Sequence, residues 1–231
     1  MKRFASILGL FLSIAVNAQD YFVGVRNGLA SDNEFTIRGL DSCIRTGFQR
    51  DSALYYRSLV CLKYGDYKMA LNDIARLQHD FSSFNSTDYL YALYYFSVQD
   101  YGRSAKKLNQ VLKQDPHNTK ALYNRALVAG MMDDYRAAIE DLSSCIKQSP
   151  NTAIYYYSRA YWLELSLKYA EAIADYERAI ELNAKLFDAY FGMANCYRLE
   201  KNFEAACKSI DRAEQAGSQM ALDVRQNYCK Y

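Results

Sequence analysis

The chain has 231 residues, 51% of them apolar, with 22 tyrosines, ten glycines and two prolines, a composition that argues against a disordered chain and for an ordered, mostly helical one. Lysine and arginine total 28 against 26 aspartate and glutamate. That near-balance, without a basic cluster, excludes the phosphate-neutralising surface of a nucleic-acid binder and gives anionic membranes little to attract.

Lys2 and Arg3 precede an apolar run from Phe4 to Val16, which closes on Val16-Asn17-Ala18. This is the pattern of a secretory signal peptide over residues 1–18, cleaved before Gln19. The run is shorter than the roughly 20 residues a membrane-spanning helix needs. The expected mature protein is therefore secreted or periplasmic and not stably inserted in the membrane, and it carries 26 basic against 26 acidic residues once Lys2 and Arg3 are removed.

Residues 19–50 place Ile37, Leu40, Cys43 and Ile44 at helical spacing but have Asn33 and Thr36 where later segments carry an aromatic and a small residue. They read as a degenerate capping repeat, because the outer face of a terminal repeat meets water instead of a neighbour. From residue 51 onward the chain repeats with a period of 34, through the units 51–84, 85–118, 119–152, 153–186 and 187–220. Tyr67, Tyr101, Tyr135, Tyr169 and Phe203 recur at that spacing, each followed three residues later by a small residue: Ala70, Ser104, Ala138, Ala172, Ala206. Nine residues before each aromatic stand Ser58, Ala92, Ala126, Ala160 and Ala194, and Pro116 and Pro150 are themselves 34 apart. Two antiparallel helices approach closely only where the facing side chains are small, so each unit is expected to be a helical hairpin. Residues 221–231 keep helical spacing through Val224 and Tyr228 and predict a C-terminal capping helix.

These columns resemble the tetratricopeptide repeat (TPR), with small residues early in the first helix, an aromatic after the turn, then alanine, and proline at the end. The resemblance implies an all-α fold, a right-handed superhelical solenoid of stacked antiparallel helix hairpins, whose first helices line a concave groove. In that family the fifth position of the first helix points to the groove; here it reads Tyr55, Tyr89, Tyr123, Tyr157 and Phe191. Four positions on, Leu127, Tyr161 and Asn195 share the face. Lys120, Asn124, Asn195 and Arg198 are its polar candidates. Family members that grip a chaperone tail clamp its carboxylate with lysine and asparagine, but Tyr123 and Leu127 stand where that clamp needs polar groups. The implied ligand is a more apolar peptide or a partner's helix. Tyrosine at the fifth position also packs between neighbouring repeats, and both uses of the tyrosine ladder stay open.

The C-terminal end, with Glu204-Ala205-Ala206-Cys207, Gly217 and Tyr228-Cys229-Lys230, resembles secreted TPR proteins of the Bacteroidetes. Six cysteines in an exported chain allow up to fifteen complete pairings. Cys207 lies ten residues before the Gly217 turn and Cys229 twelve after it, so an antiparallel hairpin sets them opposite each other. Cys43 and Cys61, on helices expected to pack together, are a second candidate pair. Cys145 falls in a small packing column and reads as a core thiol.

Catalytic constellations are missing from the sequence. His79 and His117 fall near turns between repeats without metal-ligand spacing, and no Cys-x-x-Cys, phosphate-binding glycine loop or nucleophile elbow is present. Glu140, Asp141 and Asp188 occupy positions expected to face solvent. The sequence predicts a non-catalytic scaffold or adaptor that takes a protein or peptide, with no cofactor, metal or small-molecule substrate. A self-assembling or homo-oligomeric envelope component is the alternative.

Overall fold

A computed structural model describes residues 33–47, 49–81 and 87–229. The expected signal peptide and the beginning of the capping repeat lie outside them. Among the described residues there are twelve helices and no strand. In chain order they are α1 (Asn33–Thr46), α2 (Arg50–Tyr64), α3 (Tyr67–Asp80), α4 (Thr87–Ser97), α5 (Tyr101–Gln114) and α6 (Thr119–Met131), then α7 (Tyr135–Gln148), α8 (Ala153–Leu165), α9 (Tyr169–Leu182), α10 (Phe187–Leu199), α11 (Phe203–Gln215) and α12 (Gln219–Tyr228). The chain divides into two compact units, with the boundary inside α6 between Val128 and Ala129. In the first unit each of α1 to α4 packs on the next helix; in the second, each of α7 to α11 does the same.

Each hairpin turns on one residue in the left-handed region. Gly65, Gln99, Asp133, Leu167 and Lys201, all 34 apart, have φ of 87, 62, 61, 62 and 62°. The residue two places further on is the repeating aromatic, which opens the second helix. Between the two stands the cap. Asp66, Asp100 and Asp134 each accept a hydrogen bond of 3.0 Å from the backbone N–H of Met69, Arg103 and Ala137, and Asn202 accepts one of 3.1 Å from Ala205. These acceptors satisfy donors that the first turn of a helix otherwise leaves without a partner. Lys168 holds the same place in the fourth repeat without a side-chain cap.

The small columns are buried where the two helices of a hairpin meet. Ser58, Ala70, Ala92, Ser104, Ala138, Ala160, Ala172, Ala194 and Ala206 are all buried, and the Ser104 hydroxyl on α5 donates to the Ala92 carbonyl on α4 at 2.8 Å. Two glycines show how close the approach is. A Cβ at Gly130 would lie 2.3 Å from Cζ2 of Trp162, and one at Gly192 would lie 2.4 Å from Cζ of Tyr176. Both rings are themselves almost wholly buried, so neither can retreat without opening the core.

Candidate partner-binding faces

The tyrosine ladder is mostly packing. Tyr123 has 0% of its surface exposed, and Tyr89, Tyr157, Tyr161 and Leu127 are also buried. Tyr157 lies against Tyr176 with ring centroids 5.9 Å apart, and Tyr161 meets Trp162 edge-on at 4.8 Å. Asn124, expected to face a ligand, is fully buried and donates to the Tyr89 hydroxyl at 2.6 Å. Of the predicted face, Tyr55, Lys120, Phe191 and Asn195 are half-buried and Arg198 is exposed. The sequence marks which side of each helix points inward; how far the neighbouring helix covers that side depends on packing distance.

In the second unit the accessible part of this face is polar and hydrogen-bonded. Phe191, Asn195 and Arg198 follow one another along α10 at helical spacing, hence on one side of it. Arg198 Nη2 donates to Asn195 Oδ1 at 2.9 Å, and Asn195 Nδ2 donates to Glu164 Oε1 on α8 at 2.6 Å. The other oxygen of Glu164 accepts from the Tyr176 hydroxyl at 2.7 Å. Glu164 is a buried carboxylate, and such a group is costly without donors on its oxygens. Burial, reinforced by the negative charge of Glu164, raises the Tyr176 pKa well above the ordinary tyrosine value. The result is a preformed chain of polar groups leading from the core to Arg198 at the surface.

A second polar column escapes a reading based on apolar periodicity. Arg57 donates through two nitrogens to the buried Asp73 at 2.7 and 2.6 Å and through a third to Asp41. Three periods on, Arg159 donates to Asp175 at 2.6 and 2.8 Å and to the Ser143 hydroxyl at 3.0 Å. Arg125 donates to Asn109 at 2.8 Å. In each case the arginine on a first helix reaches back sixteen residues, to the preceding second helix. Arg57 and Arg159 also reach forward sixteen, to the second helix of their own repeat. The signal was present as arginines and aspartates in register with the period of 34. Asp141 belongs to the same column as Asp73 and Asp175 and is buried, which corrects the expectation that it faces solvent; the inward-turned column overrides its hydrophilicity.

Cys207 and Cys229 are joined by a disulfide with their Cα atoms 5.6 Å apart. Cys43 and Cys61, the second candidate pair, are free thiols. The helices that carry them, α1 and α2, do pack together, but the two thiols are not bonded to each other. Burial pushes the Cys61 and Cys145 thiols up to about 12, the reverse of what a nucleophile needs. Among the described residues, no three His, Cys, Asp or Glu side chains converge as a metal site, and no helix is long and apolar enough to cross a membrane.

Comparisons with known proteins agree with this architecture. Two family models, each described as Tetratricopeptide repeat, match residues 89–129 and 166–221 in one case and 120–152 in the other, together more than half of the chain. No curated protein matches. Among solved structures, MamA from Desulfovibrio magneticus RS-1 is 17% identical with a TM-score of 0.65, covering 73% of this chain and 95% of its own. A tetratricopeptide repeat protein from Parabacteroides merdae is 18% identical with a TM-score of 0.65, covering 87% of this chain and 79% of its own. YrrB, described as a TPR protein with an unusual peptide-binding site, is 16% identical with a TM-score of 0.61, covering 81% and 97%. At these identities the likeness is one of fold. With hairpins turning every 34 residues, small columns buried between paired helices and matches over more than half its length, the chain belongs to the tetratricopeptide repeat family.

Proposed function

We propose that this protein is a non-catalytic adaptor that binds a segment of a partner polypeptide on the inward faces of its first helices. The observation that carries this reading is the face of α10, where half-buried Phe191 stands beside the hydrogen-bonded series Arg198, Asn195 and Glu164. An aromatic anchor beside polar groups already fixed by their own hydrogen bonds gives a peptide both area and direction, at little cost in side-chain ordering. The fold is that of protein-interaction scaffolds, and the peptide-binding site named for YrrB, a protein of similar fold, supports the same class of ligand.

The protein acts outside the cytoplasm. Lys2, Arg3 and the apolar run to Val16 support export, and a disulfide at Cys207–Cys229 suits an oxidising compartment. The C-terminal motif and the likeness to the Parabacteroides merdae structure support kinship with secreted TPR proteins of the Bacteroidetes.

The test is affinity capture from the native envelope extract by the mature, oxidised protein and by a variant carrying Phe191→Ala and Arg198→Glu. A partner held by the native protein and lost by the variant supports the adaptor. A partner held equally by both places binding on another surface.

One observation favours a second reading, self-assembly. In the second unit Met132, Leu165, Leu167, Leu199 and Phe203 are exposed at or beside the hairpin turns. Mass in solution separates the two: growth of the particle with concentration favours assembly through these side chains, and a concentration-independent monomer favours the adaptor.

A further inference from the structure

Five apolar side chains stand exposed along one edge of the second unit. Met132 lies at the turn between α6 and α7, Leu165 and Leu167 at the turn between α8 and α9, and Leu199 and Phe203 at the turn between α10 and α11. Each is at least 41% exposed. The three turns are neighbours: Tyr135, which opens α7, stacks on Trp162 of α8 with ring centroids 5.9 Å apart, and Glu164 of α8 is hydrogen-bonded to Asn195 of α10.

The size of this edge is that of an interface. Its apolar side chains present roughly 400–500 Å² of surface, the scale at which an exposed patch on a soluble protein marks an interaction site. Asp133, Asp134, Lys168, Glu200 and Lys201 stand exposed among them, and they bring the edge to the scale of the roughly 800 Å² that each partner gives to a stable complex. Leu167, at the middle turn, is the least at ease in the isolated chain. It has φ of 62°, a left-handed conformation that strains a leucine, and Gly65 holds the same place in the first repeat. Strain kept under an exposed apolar side chain points to a contact that the single chain lacks.

Charge selects the occupant. The tips of the three turns, 34 residues apart, are Asp133, Leu167 and Lys201. A half-turn about an axis through Leu167 reverses this row, so that Asp133 of each of two copies meets Lys201 of the other. Pairing in the same direction would instead set Asp133 and Asp134 against their own counterparts. Glu200 offsets Lys201 and leaves the third turn neutral as a whole, a better neighbour for the acidic first turn than a second acidic turn is. Lys168, next to the axis, has Glu171 at 3.4 Å as its own counter-ion. With 26 basic and 26 acidic residues beyond residue 18, two copies meet without net repulsion.

We propose that this edge binds a second copy of the chain in antiparallel register, with Leu167 at a twofold axis and Asp133 against Lys201 of the second copy. Because both copies use the same edge, the assembly closes at two. The proposal rests on the self-assembly reading above and gives it an orientation and a size.

The test is sedimentation equilibrium of the mature, oxidised protein from low micromolar to submillimolar concentration. The expected result is a monomer–dimer equilibrium that stops at two copies. Asp133→Lys and Lys201→Asp each weaken the dimer at least tenfold by setting like charges together, and the double variant restores it to within threefold, because it only exchanges the ends of the row. Aspartate and lysine both already adopt the left-handed conformation at these tips, so the variants keep the turns. Leu167→Gly, which suits the same conformation, also weakens the dimer at least tenfold. Single variants without effect, or a double variant as weak as the singles, overturn the pairing. Growth past two copies keeps assembly and overturns the closed pair. A chain that stays monomeric at every concentration overturns the pair and the assembly reading together and leaves the adaptor; if that monomer floats with phosphatidylcholine vesicles, the edge belongs to a lipid surface.

Discussion

The carboxylate of Glu164 on α8 accepts a 2.6 Å hydrogen bond from the side-chain amide of Asn195 on α10, 31 residues away. It joins consecutive first helices through a buried acid whose second oxygen is held by Tyr176 of α9. Tyr176→Phe removes that donor and leaves one oxygen of a buried carboxylate without it. The expected loss is about 1.5–3 kcal/mol, the range for a hydrogen bond to a charged group. Urea denaturation followed by circular dichroism measures it, and an unchanged midpoint would show that water substitutes for the phenol.

Stability should fall at alkaline pH through the buried thiols. Burial, with the charge of Asp141 adding to it, pushes Cys145 up to about 12, whereas an unfolded cysteine titrates near 8.5. Below that lower value both states hold the proton and pH has no effect through this group. Between the two values the unfolded chain loses its proton first, so stability falls by about 1.4 kcal/mol per pH unit for each such thiol. Cys145→Ala should lower stability at neutral pH by a cavity cost and flatten the slope between pH 9 and 11. A slope as steep as that of the native protein would show that Cys145 does not contribute to it.

The hairpins are legible in the sequence because their determinants are local and periodic: Asp66, Asp100 and Asp134 before the aromatics, and alanines such as Ala160 and Ala172 where helices touch. The accessible face is less legible. Tyr123 and Phe191 hold equivalent places in their repeats, yet one is fully buried and the other is half-exposed, and no residue within either repeat announces the difference. Charged columns mislead for a related reason. Asp73 is hydrophilic by type and buried in fact because Arg57 supplies two donors to it, a pairing visible only once the period of 34 is applied to charges as well as to apolar residues.

Two glycines in helices predict opposite responses to the same substitution. Gly102 on α5 has open space where a Cβ would stand, so Gly102→Ala should stabilise by about 0.5–1 kcal/mol through helix propensity. Gly130→Ala gains the same propensity but drives a methyl to 2.3 Å from the buried Trp162 ring, and overpacking of that kind costs about 1–3 kcal/mol. Thermal melts of the two variants should shift in opposite directions. A rise in both would mean that the Trp162 ring moves aside freely.

Leu167 is the poorest fit among the turn residues. It has φ of 62° with 72% of its surface exposed, so it bears the steric cost of the left-handed region without burying its side chain. Leu167→Gly should stabilise by about 1 kcal/mol, because relief of roughly 1–2 kcal/mol of strain exceeds the added entropy of the unfolded chain. Gly65→Ala, at φ of 87° in the equivalent turn, should destabilise. If Leu167→Gly lowers the melting temperature, the leucine side chain makes contacts that offset its strain.

The Cys207–Cys229 disulfide closes a separation of 22 residues and ties the chain just after α12 back to α11. In a stack each helix is held mainly by its neighbours, and among the described helices α12 packs on α11. Reduction should therefore act locally. Loss of the crosslink removes about 2–4 kcal/mol from the closed hairpin, enough to let α12 open while α8 to α10, packed on both sides, keep their own protection. Hydrogen exchange with and without reductant separates the possibilities. Faster exchange confined to α12 and the adjoining part of α11 is the expected outcome. Acceleration spread evenly over α7 to α12 would instead mean that the second unit unfolds as one cooperative body, with the disulfide supporting all of it.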